Sequence, residues 1–119
     1  MLENPINKIK ENIDVGIEEE NRRGVIAILN TLLADEYLLF TKTRNYHWNV
    51  VGKDFKERHV FFQQQYEQLD QMIDEIAERS RQLGGVTVAT MTEFIKISNL
   101  KENPGDYPSD MKMISNLLR

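Results

Sequence analysis

Between residues 18 and 50 the chain contains no proline and a single early glycine, Gly24, and apolar side chains return every three or four positions: Val25, Ile28, Leu29, Leu32, Leu33, Tyr37, Phe40. That spacing repeats with the turn of an α-helix and predicts one long helix over this whole stretch. Ile26, Leu38 and Leu39 widen the apolar face beyond a narrow stripe, so burial against neighbours on two sides is expected. Gly52 is expected to cap the helix at its C-terminus. Asp54 and Glu57 have the spacing of a capping box for a second helix. Along that helix Phe55, Phe62, Tyr66, Leu69, Ile73, Ile76 and Leu83 form a seam, with His59 filling the one gap. The steps average about 3.5 residues, the period of a seam that packs on an antiparallel neighbour at a shallow angle. Gly84 and Gly85 stop this helix after about 30 residues, or about 45 Å. Two such helices joined by a short turn form a hairpin, and the fold class expected is all-α.

Beyond the hairpin, Thr90 and Glu93 offer another capping box, for a short helix through about Ser98. "NPGDYPSD" is turn material. Ser109 is the expected N-cap of a last segment, "DMKMISNLLR", which carries no stop signal before Arg119. No repeat or interdomain linker interrupts the 119 residues, so a single domain spanning 1–119 is expected. With no cysteine, disulfides and thiolate zinc sites are excluded. The N-terminus lacks the pattern of a cleaved leader and no run is expected to approach membrane-spanning length, so a soluble, cytoplasmic protein is expected. A net charge of −4 disfavours phosphate backbones, and Lys8 and Lys10 are outnumbered by neighbouring acids.

The chain has two histidines, His47 and His59, one on each side of the glycine turn. Imidazole and carboxylate together are the usual ligands of iron, manganese and zinc, and in helical bundles they project from facing helices. Asp74 and Glu78 are four residues apart, so they share one helical face and could grip one metal. Alone they would read as an exposed acidic edge. With His59 set at zero, Gln63 lies at about 40°, Asp74 at about 60° and Glu78 at about 100°, a polar stripe flanking the apolar seam. Yet His59 and Asp74 are about 22 Å apart along a straight helix, far beyond the about 2.0 to 2.6 Å reach of ligands to one ion. One chain cannot close this site. A second copy packed antiparallel would bring its Asp74 and Glu78 opposite His47 and His59, giving a homodimer with two sites. For His59 alone, a partly buried, hydrogen-bonded core histidine is the alternative. Asp35 and Glu36 lie nearly three turns from His47, too far to be ligands, and Arg22, Arg23 or an interface residue are their expected partners.

"NYHWNVVGKDFKERH" followed by "YEQLDQMIDEIAERSRQLGG" resembles the Dps proteins, or miniferritins, over residues 20–119. The resemblance implies a ferritin-like four-helix bundle assembled into a hollow dodecamer, with a ferroxidase centre at the twofold interface. Carried over by position, His47 and His59 come from one subunit and Asp74 and Glu78 from its partner. The implied activity is oxidation of ferrous iron with hydrogen peroxide and storage of the ferric mineral. Asp74, Glu78 and His47 would hold one ferrous ion, and His59 with Gln63 or water a second. Trp48 either intercepts stray oxidising equivalents, as in the family, or fills the end of the hairpin; Tyr46 and Tyr66 are expected in the core or an interface.

Three departures stand out. Gln63 occupies a position that is usually acidic in the family, so it offers a neutral carbonyl oxygen and no charge to a cation. Arg58 precedes His59 where an aliphatic residue is usual, placing a cation near the site. Relative to the family the chain lacks most of the third long helix and all of the fourth, and is expected to be a fragment or to have its open seam covered by another chain. Water on that seam would forfeit about 1.5 to 3 kcal/mol per large apolar side chain. The competing readings are a structural or DNA-compacting Dps-like protein with weakened ferroxidase activity, binding DNA weakly and salt-sensitively, and a fragment that does not assemble.

Overall fold

A computed structural model describes residues 16–118, so Lys8, Lys10 and Arg119 lie outside the described residues. Among the described residues four helices follow one another, α1 (Glu19–Asn49), α2 (Phe55–Gln82), α3 (Met91–Ile97) and α4 (Asp110–Leu117), and there is no strand. The expected hairpin of two long helices is α1 against α2. Among the described residues α1 is long and apolar enough, by length and composition, to cross a membrane, which corrects the expectation that no run approaches that length. Here it is the central packing element, with Ile26, Leu33, Ala34 and Leu38 buried.

The two capping assignments at the hairpin turn are corrected. α1 ends before Gly52 because Val50 turns extended (φ −63°, ψ 140°), its N–H donating to the Tyr46 carbonyl. Gly52, at φ +127°, instead makes the turn itself, a conformation that favours glycine. Asp54 adopts φ −98°, ψ 26° and its side chain makes no capping bond. A side-chain N-cap needs an extended backbone at that residue, so the Asp54–Glu57 box does not form. The end of α2 follows expectation. Gly84 at φ +86° donates to the Arg81 carbonyl and Gly85 to the Ser80 carbonyl, both at 2.9 Å, the paired bonds of a Schellman motif. The guanidinium of Arg22 donates to the Leu83 carbonyl at 2.8 Å, tying the start of α1 to the end of α2.

After that turn the chain runs back along α1, held by Asn30, which donates to the Val86 carbonyl and accepts from the Val88 N–H. The Thr90–Glu93 capping box forms and starts α3. Asp35 accepts from the Ser98 hydroxyl at 2.6 Å and the Asn99 N–H at 2.7 Å, so it caps the chain leaving α3. This corrects the basic partners expected for it: Arg22 serves Leu83 and Arg23 pairs with Glu19 at 3.6 Å. The Ser109 side chain accepts from the Lys112 N–H at the start of α4, as its position predicts.

Among the described residues two clusters make the core. Leu33, Ala34, Leu38, Ile73, Val88 and Phe94 join α1, α2 and α3, with Tyr37 stacked on Phe94. Tyr46, Val50, Phe62 and Met113 seat α4 beside the hairpin turn. Each large side chain buried there is worth about 1.5 to 3 kcal/mol. Of the predicted α2 seam, Phe62 and Ile73 are buried, while Phe55, in the first turn, is 44% exposed. Leu39, Phe61, Leu69, Met72, Ile114 and Leu117 line an open apolar groove of about 280 Å³.

Candidate functional site

The hairpin turn puts the last turn of α1 against the first turns of α2, which brings His47 and His59 together. Their rings stack with centroids 3.7 Å apart and planes 20° from parallel. His47 Nδ1 lies 2.7 Å from the His59 carbonyl, and His59 Nδ1 lies 2.7 Å from the His47 carbonyl. A carbonyl oxygen only accepts, so each Nδ1 is the donor. In the neutral ring that assigns the proton to Nδ1 and leaves Nε2 with its lone pair, the form in which imidazole binds a metal. The His47 carbonyl is available because α1 ends two residues later, among the carbonyls a helix terminus leaves without intrahelical partners. Backbone acceptors of this kind are the usual means of fixing a metal-binding histidine.

The surroundings hold the pair still. His47 is 6% exposed; Tyr66 packs edge-on against it with centroids 5.2 Å apart, and Phe55 stacks on His59 at 5.1 Å. Arg44 lies over the rings of Phe40, Trp48 and Tyr66 at 5.1 to 5.6 Å. Trp48 is 64% exposed, so it does not fill the end of the hairpin. Tyr46 is a core residue and accepts from Asn116 at 3.3 Å. Arg58 points to α4, where it pairs with Asp110 at 3.2 Å and contacts the Met111 sulfur. Its charge is thereby compensated on the α4 side.

Gln63 follows His59 by one helical turn and donates through Nε2 to the Glu67 carboxylate at 2.9 Å. Asp74 and Glu78 are further along α2, Asp74 exposed. As α2 is one unbroken helix, about 22 Å of rise separates His59 from Asp74. Among the described residues no three metal-ligating side chains converge within one chain. The structure thus brings together His47 and His59, with Gln63 one turn away, and leaves Asp74 and Glu78 apart from them. The donors that do assemble, the two imidazole Nε2 atoms, have the chemistry of half a site for a borderline metal ion such as ferrous iron.

Two features escape a reading of the sequence alone. Glu67 lies on the same polar stripe, at about 80° from His59, and its four-residue spacing from Gln63 is the available signal. Glu36 is buried, with Oε2 lacking a hydrogen-bond partner; burial, and then the charge of Glu75, push its carboxyl above the usual range. Neither side chain takes part in the histidine pair.

The ferritin-like domain family matches residues 26–119. The chain is a Dps-type member of the ferritin-like family. It is 47% identical over 107 residues to an uncharacterized low temperature-induced protein of Nostoc sp., and 46% identical over 80 residues to DNA protection during starvation protein 2 of Bacillus anthracis. These matches cover 90% and 67% of this chain, and 60% and 55% of the relatives, so the chain spans less than two thirds of their length. The fold superposes on DpsC from Streptomyces coelicolor with a TM-score of 0.87 at 28% identity, covering 91% of this chain and 63% of that one. A Dps protein from Bacillus brevis gives 0.78 at 31% identity, over 84% and 66% of the two chains.

Proposed function

We propose that this chain is a miniferritin subunit that binds and oxidises ferrous iron, with its site shared between two copies across a twofold axis. The observation that carries this reading is the reciprocal histidine latch. It orients two imidazoles, fixes the tautomer of each neutral ring, and leaves both Nε2 atoms outside the latch. Packing alone has no need of that combination. The alternative of a hydrogen-bonded core histidine describes the same His59 ring but gives no reason for a second, matched ring.

In this reading Asp74 and Glu78 of a second copy complete the site opposite His47 and His59, and the α2 polar stripe is the dimer surface. Ferrous iron and peroxide are the substrates. Each peroxide accepts one electron from each of two ferrous ions and two protons, and leaves as two waters. The carboxylates supply the negative charge that stabilises the ferric product, and the imidazoles set its position. Gln63 contributes a neutral oxygen, so the ion held with His59 is bound more weakly than the one held by Asp74, Glu78 and His47. The apolar groove beside α4 is the surface on which further helices of a four-helix bundle pack. Assembly into a hollow dodecamer in the cytoplasm, with iron stored inside, belongs to the same proposal.

The test is anaerobic titration with ferrous iron followed by peroxide, comparing wild type with His47→Ala and Glu78→Ala. Wild type is expected to consume ferrous iron faster than either variant. Equal consumption by all three would overturn the ferroxidase reading. The presence of Gln63 favours a second reading, a structural or DNA-compacting protein with little oxidase activity; it predicts intact assembly with no peroxide-dependent iron loss, and DNA retention that fades with salt.

A further inference from the structure

We propose that Glu67 is a positioning residue that turns Gln63 into a usable metal ligand, an inference that rests on the shared-site reading above. His59, Gln63 and Glu67 are spaced one turn apart on a single stripe of α2, so each side chain neighbours the next. Gln63 has two faces of nearly equal shape, an NH₂ that only donates and a carbonyl that only accepts. Only the carbonyl can bind a cation. The 2.9 Å bond from Gln63 Nε2 to Glu67 Oε1 decides between the faces, because a carboxylate accepts and would repel the carbonyl oxygen. With the NH₂ committed to Glu67, the carbonyl oxygen is turned away from that carboxylate, and the next turn of the stripe on that side carries His59.

The same bond polarises the amide. A carboxylate drawing on the N–H increases the negative charge on the carbonyl oxygen, much as a carboxylate behind a metal-bound histidine makes that ligand more basic. Glu67 therefore returns, through Gln63, part of the electrostatic attraction lost with an acidic side chain at position 63. Sequence spacing alone does not reveal this, since an i,i+4 pair of this kind also occurs as a solvated surface contact.

The experiment is a Co²⁺ titration of the full chain, followed by visible absorbance and calorimetry in the absence of oxidant, with thermal melting run in parallel. Glu67→Ala is expected to weaken the weaker of the two Co²⁺ binding steps about tenfold, the low end of what outer partners of metal ligands contribute. Glu67→Gln keeps an acceptor for the Gln63 NH₂ and is expected to fall closer to wild type, whereas a purely long-range charge effect would make the two variants equal and overturn the proposal. In a Gln63→Leu background, Glu67→Ala is expected to change nothing further. A persisting loss there would show Glu67 to be a direct ligand and overturn the positioning role. Should Glu67→Ala leave both steps unchanged while His47→Ala abolishes one, the inference fails and the shared site stands. If His47→Ala has no effect on Co²⁺ either, the site reading itself fails, and the inference with it.

Discussion

Replacing His47 separates the two jobs assigned to its ring. His47→Ala removes a 2.7 Å hydrogen bond to the His59 carbonyl and a stacking partner at 3.7 Å. The bond is worth about 0.5 to 1.5 kcal/mol and the ring contact about as much again. Because the side chain is nearly fully buried, loss of packing adds to both, and a total of about 2 to 3 kcal/mol is expected. For a chain of this size that lowers the melting temperature by roughly 6 to 15 °C. His47→Asn places an amide N–H near the position of Nδ1, so it retains the latch while lacking any atom at Nε2. It is expected to recover about 1 kcal/mol over alanine, roughly 3 to 5 °C, and no Co²⁺ affinity. Thermal melting and Co²⁺ titration on the same three proteins decide the matter. If the His47→Asn and His47→Ala proteins melt together, the latch contributes nothing to stability; if His47→Asn binds Co²⁺ like wild type, Nε2 of His47 is not a ligand.

Glycine-to-alanine changes at two sites should act in opposite directions. A Cβ at Gly85 would sit 2.5 Å from Ile26 Cγ2 and 3.0 Å from Ser80 Oγ, so Gly85→Ala should destabilise by about 1 to 3 kcal/mol. Gly24, within α1, has open space around it, and Gly24→Ala should stabilise by about 0.5 to 1 kcal/mol; chemical denaturation that gives both the same sign would refute the packing described for Gly85. Glu36 has its carboxyl raised by burial and by Glu75, so the folded state holds its proton more firmly than the unfolded state. Stability is then lost as pH rises from the ordinary glutamate range through the raised value. Glu36→Gln should be more stable than wild type at about pH 7 and no different at about pH 4, and a difference that does not change with pH would count against the assignment. Arg58→Ala should cost under about 1 kcal/mol through its pair with Asp110 and leave Co²⁺ affinity unchanged; a tenfold tightening would mean that its charge acts on the site after all.

Much of the architecture is legible along the chain because it rests on local periodicity. The 3.6-residue recurrence from Val25 to Phe40 and the seam from Phe62 to Ile76 predict α1 and α2, and the Gly84–Gly85 stop is a Schellman turn. Thr90 and Ser109 cap their helices where short-range hydrogen bonding places them. The departures are local in kind but decided by distant contacts. Asp54 has the spacing of a cap and the wrong backbone angles, because the turn geometry is set by how the two long helices meet. Charge alone matches Asp35 to arginines, yet the return of α3 along α1 delivers Ser98 and Asn99 to it instead.

For the candidate site, residue types and spacing along the chain are enough to list candidate metal-binding side chains and to show that His59 and Asp74 of one chain stand too far apart to share an ion. Helical rise alone settles that point. That the two histidines face each other is visible only in the fold, because their contact depends on the angle at which α1 and α2 leave the Gly52 turn. The fold likewise sets which ring nitrogens are free, since the partner carbonyls come from the end of one helix and the first turns of another. Spacing can list donors, but a proton's position on an imidazole is set by whichever backbone oxygen the fold brings within 2.7 Å.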